Sequence, residues 1–297
     1  MTRHISVRAG TKQFAKLTIS LFYYIAQEVW RFALQLSGGS PERKLVVLYY
    51  HGIPLVHRPN FVRQMESLQR RARVWPACHR GSLPSDKPNV AITFDDAYVS
   101  VAHNALPELA SRGFHSTIFV PVGPLGSPPT WQMEPGSPDF QETIMSAEQI
   151  AKLPSPLVTV GSHSCSHPRL SQLAPSDART EIQGSRVKLQ NLTTRDVRLF
   201  AFPYGDHDAG TVELCREAGY DYVFTTMPTP IDAASSAFVR GRVKVDPFDG
   251  RLEYFLKYNG AYAWVSRASS LKRKLRKRDR SRATHRNRLV ESHKIRA

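Results

Sequence analysis

Val90-Ala91-Ile92-Thr93-Phe94-Asp95-Asp96 is a short apolar and β-branched run that ends in two adjacent carboxylates. Such a run reads as a strand buried on both faces, carrying acids at its C-terminal end. The same form recurs on either side of it. Leu45–Tyr50 ends in His51, Leu157–Val160 ends in Gly161-Ser162-His163 with His167 four residues on, and Val197–Phe202 ends in Pro203-Tyr204-Gly205. Thr117–Val122, Tyr222–Thr225 and Phe238–Val245 have strand composition as well. Between these runs, Phe61–Arg73, Val99–Arg112, Ala147–Leu153, Pro175–Leu192 and Asp208–Ala218 have helical patterning; Pro175 opens one helix and Gly219 closes another. Strand–helix alternation over about 200 residues predicts an α/β domain with a mainly parallel sheet, open or closed into a barrel. In parallel barrels the C-terminal strand ends converge on one face, where active sites are built. Four such ends here carry acids, imidazoles or a Pro-Tyr-Gly turn.

The chain has 297 residues, 41% of them apolar and 22% charged, which is ample for a folded core and excludes wholesale disorder. No run of about eighteen apolar residues exists, so a multipass membrane protein is excluded. Cys78, Cys165 and Cys215 form no CxxC and no disulfide framework, and they fit a reducing compartment. The net charge of +16 is unevenly placed. From Arg267 to Ala297 thirteen Lys or Arg face only Asp279 and Glu291, a net of +11, which leaves +5 for the body. Three regions follow: an N-terminal basic and apolar helical segment (1–43), a catalytic domain (44–265) and a basic tail (266–297), disordered or weakly helical. Phe14–Leu36 reads as a helix whose apolar stretch, Leu17–Ala26, is half a membrane span. No small-x-small cleavage site follows it, so it is expected to dock on the domain or lie on a membrane surface rather than direct secretion. The expected place is the cytoplasm or a membrane periphery, with secretion the less favoured alternative. The tail could attract an anionic membrane or nucleic acid; it has no aromatic residue for base stacking, which favours the membrane.

His163 and His167 have metal-ligand spacing, and one added carboxylate would complete a two-His, one-Asp site with open positions for water and substrate. Either feature alone is weak: HxxxH pairs arise by accident, and adjacent acids commonly cap the next helix. Together at strand ends they are specific. One acid can hold the metal while the other takes a proton from water. Pro121 to Phe140 holds six prolines and three glycines and reads as a long loop of the kind that shapes binding sites. Trp131 within it is suited either to stacking on a sugar or to packing the loop.

These residues carry a resemblance. Ile92-Thr93-Phe94-Asp95-Asp96-Ala97-Tyr98, Ser162-His163-Ser164-Cys165-Ser166-His167-Pro168 and Phe200-Ala201-Phe202-Pro203-Tyr204-Gly205 resemble, in order and spacing, three motifs of the polysaccharide deacetylase family, the NodB-homology domain. The third motif has the form found among exopolysaccharide-associated members. Arg216 to Thr226 is also similar, and the resemblance spans about Lys44 to Val245. It implies a distorted (β/α) barrel and a hydrolase that removes N-acetyl groups from amino sugars of a polysaccharide or lipid-linked glycan, with O-acetyl esters left open. It implies a divalent metal, usually Zn2+, held by Asp96, His163 and His167. Asp95 would be the general base acting on metal-bound water, the peptide N–H of Tyr204 would help hold the oxyanion, and Pro203 and Trp131 would lie near substrate.

Two positions depart from the family pattern. Ala201 stands where many members have an arginine that orients the base; Arg240 or Arg242 could replace it. The Leu-x-His motif that supplies the general acid near the C-terminus is missing. Tyr49-Tyr50-His51-Gly52-Ile53, however, resembles the N-terminal motif of a circularly permuted subgroup, which gives His51 the acid role, with His207 as a fallback. A non-catalytic glycan-binding module on the same scaffold is the alternative that Ala201 motivates.

Overall fold

In the computed structural model of the chain, the structure describes residues 2–133, 136–232 and 235–272, with side chains from residue 13 onward. Most of the expected basic tail, 273–297, lies outside them. The strands are β1 (Leu45–Tyr50), β2 (Arg73–Val74), β3 (Asn89–Phe94), β4 (Ser116–Val120), β5 (Val158–Ser162), β6 (Leu199–Ala201), β7 (Tyr222–Phe224), β8 (Val239–Arg240) and β9 (Val243–Lys244). The helices are α1 (Thr2–Leu36), α2 (Arg58–Arg71), α3 (Leu106–Ala110), α4 (Ala147–Ala151), α5 (Pro175–Thr193), α6 (Ala209–Glu217) and α7 (Arg251–Tyr258). A further helix occupies 263–272.

All strand pairs are parallel, in the order β8-β7-β6-β5-β4-β3-β1-β9, with β2 beside β3. Phe238–Val245, expected as one strand, is broken into two that pair at opposite ends of this order: β8 on β7, and β9 on β1. Only Gly241 and Arg242 separate them. From Arg240 to Val243 is three Cα–Cα steps, at most about 11 Å, so the ends of the sheet lie close together and the sheet curls into a distorted barrel. Gly241 makes the crossing possible, because a Cβ there would stand 2.4 Å from the carbonyl oxygen of Met227.

Side-chain alternation along the strands sorts residues into two layers. In β1, Val46, Leu48 and Tyr50 face the helices while Leu45 and Val47 face the interior. In β3, Val90, Ile92 and Phe94 face outward and Ala91 inward. The inward parity of Ala91 continues through Thr93 to Asp95. In β5, Val158 and Val160 are outward, so the inward series runs Thr159, Gly161, His163. The helices close the outer layer. α5 buries Ala178, Ile182, Ser185 and Leu189 along one stripe, and Asp208 caps α6 through the Thr211 amide at 2.8 Å. α7, which the sequence reading left unassigned, and the 263–272 helix, which takes in the start of the basic tail expected to be disordered or weakly helical, dock α1 on the barrel wall: Tyr24 meets Phe255 edge-on, and Trp264 Nε1 donates to Ser20 Oγ at 2.9 Å.

Gly241→Ala tests the seam. The obstruction is backbone, so the variant should lose about 1–3 kcal/mol, at the upper end of that range, as a lowered urea midpoint with unchanged slope. An unaltered midpoint would mean that the crossing is not close.

Candidate active site

The strand ends converge as expected. Tyr49, His51, Asp95, Asp96, Tyr98, Trp131, Asp139, His163, His167 and Tyr204 all line one cavity of about 540 Å³. A larger groove of about 740 Å³ runs between α2 and α7 and contains none of these acids or imidazoles.

Asp96 Oδ1 stands 3.4 Å from His167 Nε2 and 3.6 Å from His163 Nε2. Ligand atoms of all three residues lie within 4.8 Å of one another, and all three residues are buried. The Asp96 oxygen has no hydrogen-bond partner although it is buried, an orphan that a cation would satisfy. Burial pushes the His163 imidazole down to about 4; burial and then neighbouring His163 push His167 down to about 2. Both rings are therefore neutral, as metal ligation requires. His163 Nδ1 lies 2.7 Å from the Ala201 carbonyl. A proton donated there leaves Nε2 with its lone pair toward Asp96. Burial, and then the carboxylates of Asp95 and Asp139, raise Asp96 well above the usual carboxylate range. Two imidazoles and a carboxylate with an unsatisfied oxygen fit a divalent cation with open positions.

Asp95 has the opposite balance. Burial raises its pKa, but Arg242 first, with His163 and His51, offsets burial and the carboxyl is held below its ordinary value. The pairing is bidentate, Nη1–Oδ1 at 2.6 Å and Nη2–Oδ2 at 2.9 Å. Arg242 is fully buried, with its guanidinium carbon 4.6 Å from the centre of the Tyr49 ring and its Nη1 also donating to Thr93 Oγ1 at 3.3 Å. Arg240 does not share this place. It donates to the Ala77 carbonyl at 2.9 Å and lies 3.3 Å over the Tyr222 ring. Two residues apart in the seam, the two arginines reach different levels of the interior, and only Arg242 reaches Asp95.

Among the described residues six non-glycines have positive φ, and five of them are Asp96, Ala97, Ser164, His167 and Tyr204, all in the three loops that form the site. Left-handed non-glycine backbone costs roughly 1–3 kcal/mol per residue and persists only where its surroundings enforce it. The 164–167 loop is enforced by Glu181 of α5, which accepts from the Cys165 and Ser166 amides at 2.8 and 2.9 Å. Ser164 Oγ accepts from the His167 amide at 3.0 Å. Tyr204 is followed by Gly205, where φ is +68° and a Cβ would stand 2.2 Å from Thr226 Oγ1. Trp131 stacks on His167 with ring centres 4.2 Å apart, and Tyr204 meets the same ring edge-on at 4.7 Å.

Two candidate positions, Pro203 and His207, fall elsewhere, and Cys165 is the spacer between the ligands that its small side chain suits. Pro203 is buried and does not line the cavity. His207 packs on Phe202 and sits 2.8 Å from the Gly205 carbonyl, outside the cavity lining. Cys165 is held toward α5, with Sγ 3.9 Å from the Thr180 carbonyl, and is no part of the cluster. Two residues were not foreseen. Glu181 could have been found only from the three-dimensional proximity of α5. Asp139 comes from the Pro- and Gly-rich loop, where no periodicity singles out an acid. Its Oδ1 would stand 3.2 Å from a Cβ on Gly52, beside His51.

Residues 82–223 match the family model described as Polysaccharide deacetylase. The Bacillus subtilis protein YxkH, which carries a polysaccharide deacetylase name, is 24% identical over 216 residues, 69% of this chain and 72% of that protein. The solved structure of IcaB from Ammonifex degensii is 27% identical, with a TM-score of 0.58 over 75% of this chain and 97% of that one. The fold is also that of the Streptococcus pyogenes deacetylase PplD, solved in complex with acetate, at 21% identity and a TM-score of 0.59 over 73% and 99% of the two chains. Residues 82–223 are thus similar to a polysaccharide deacetylase domain, and these likenesses support a carbohydrate-deacetylating hydrolase.

Elemental analysis checks the ligand set. The full chain should retain about one divalent ion after dialysis, His163→Ala and Asp96→Asn should retain almost none, and Arg242→Leu should retain it. Equal metal content in His163→Ala and the parent would remove Asp96, His163 and His167 as the site.

Proposed function

We propose that this domain is a metal-dependent N-deacetylase acting on N-acetylated amino sugars of a polymeric or lipid-linked glycan. The observation that carries this reading is the division of labour between adjacent carboxylates. Asp96 stands against two neutral imidazoles, whereas Asp95 beside it is clamped by Arg242. A glycan-binding module has no use for a second, ionised acid beside a metal site, and the guanidinium absent at Ala201 is supplied by Arg242 from the seam.

A divalent ion held by Asp96, His163 and His167 would supply a Lewis acid for the acetamide carbonyl and acidify water. Asp95, ionised and fixed in direction by two hydrogen bonds, accepts the proton of the attacking water at its carboxylate. The peptide N–H of Tyr204, carried on the strained Pro203–Gly205 turn at the cavity rim, donates to the oxygen that gains negative charge. Collapse breaks the carbon–nitrogen bond and releases acetate, and His51 delivers a proton to the departing amine. Burial lowers the His51 imidazole below its ordinary range, against the opposing pull of Asp95 and Asp139. The negative charges of Asp95 and Asp139 favour the charged ring against burial, and the proton that Asp95 takes from water replaces the one that His51 gives to the amine. Asp139, on the same wall, would position and charge-balance His51. Trp131 over His167 offers the flat apolar face on which a sugar ring can stack.

The test is acetate release from N-acetylglucosamine oligomers by the full chain. Release should be abolished by a chelator and restored by added metal, and should fall by about 100-fold or more in Asp95→Asn and His51→Ala. Asp139→Asn should lower kcat by about tenfold with KM little changed. Undiminished release in Asp95→Asn would contradict the proposed base. No release from metal-loaded protein on any N-acetylated oligomer would contradict the proposed activity.

A further inference from the structure

The outward face of α1 is the largest exposed apolar feature among the described residues. Phe14, Phe22, Ile25, Val29, Phe32 and Leu36 are all exposed, Phe22 at 67% and Leu36 at 74%. At 3.6 residues per turn they fall within an arc of about 80° along roughly 33 Å of helix. Trp30, 66% exposed, lies on the side of the helix, about 80° round from the stripe's edge. The opposite face cannot turn to cover it. Ser20 is fully buried under Trp264, Tyr24 packs on Phe255, and Gln13 Nε2 donates to Glu253 Oε2 at 3.3 Å. The helix is thus fixed to the barrel wall with its apolar side outward. No helix among the described residues is long and apolar enough to cross a membrane.

Charge identifies the occupant. The 263–272 helix lies against α1, with Arg267 over the Tyr23 ring at 5.5 Å, and it leads directly into 273–297. That segment holds eleven Lys or Arg and only Asp279 and Glu291. Arg3, Arg8 and Lys12 precede the stripe at the other end, and Lys16 lies in its first turn. A second copy docked through α1 would bring two such cationic segments together. An anionic lipid surface instead satisfies both parts at once: the apolar stripe enters the headgroup–acyl boundary, and the basic residues meet the phosphates.

We propose that α1 lies in the plane of an anionic bilayer, apolar face down, with the 273–297 segment adding electrostatic attraction, so that the domain works at a membrane surface. The inference is independent of the deacetylase reading.

The full chain would be sedimented with vesicles of phosphatidylcholine containing about one-third phosphatidylglycerol and with pure phosphatidylcholine. It should favour the anionic vesicles, and binding should weaken as salt is raised. The combined variant Phe22→Ser, Val29→Ser, Phe32→Ser should bind at least about tenfold less, with an unchanged thermal midpoint because these side chains are exposed. Truncation after Lys272 should remove the preference for anionic lipid. Tryptophan fluorescence, read without altering the stripe, should shift to the blue on vesicle addition in the parent and much less in Trp30→Phe. Vesicle binding by the triple variant equal to the parent's would overturn the proposal. So would a parent that ignores vesicles and is a dimer by light scattering, with the variant monomeric, which would make the occupant a second copy.

Discussion

The structure depends on one buried ion pair, Arg242 with Asp95. Removing two charges from water costs several kcal/mol per ion unless geometry and further hydrogen bonds compensate. Here the guanidinium makes two bonds to one carboxylate and donates to Thr93 Oγ1 and the Thr225 carbonyl, inside a wall of Tyr49, Phe119 and Phe224. Asp95 directly follows β3 and Arg242 directly precedes β9, the two neighbours of β1, so Arg242 emerges where the two ends of the sheet meet. The pair therefore ties barrel closure to the orientation of the acid. A chain that failed to close would leave a buried carboxylate without its partner.

From that pair the charge pattern of the cavity follows. Arg242 pairs with Asp95 and holds it ionised, so the second carboxylate, Asp96, stands among neutral imidazoles and the negative charges of Asp95 and Asp139. A cation is what that arrangement lacks. The strain falls in the same place: the loops carrying Asp96, the two histidines and Tyr204 hold five left-handed non-glycine residues. Pinning by Glu181, Ser164 and the close fit of Gly205 on Thr226 offsets that strain. The rigid strands thus deliver side chains by parity, and the strained loops set their final directions.

Much of this was legible in the sequence because a parallel strand buried on both faces leaves an unmistakable apolar run, and because its side-chain period is two. Once Val90, Ile92 and Phe94 are outward, Asp95 must be inward; the same counting places His163. The Asp-Asp, His-x-x-x-His and Pro-Tyr-Gly motifs mark the strand ends directly. What was not legible depended on pairing. Nothing in Phe238–Val245 says that its halves join opposite ends of the sheet, so Arg240 and Arg242 could not be told apart until Gly241 was seen pressed against Met227. Glu181 reads as one more polar residue on an amphipathic helix, Asp139 as one more loop acid, and Pro203 as a contact rather than a buried turn residue. Their roles come from what folds against them.

The central claim is that Arg242 acts through Asp95 rather than on substrate. A double-mutant cycle on kcat/KM for acetate release, with Asp95→Asn, Arg242→Leu and the two combined, measures it directly. The account predicts strong non-additivity, with the double variant no slower than Asp95→Asn alone. Independent, multiplying losses would contradict it and would make Arg242 a group with its own contact to the substrate.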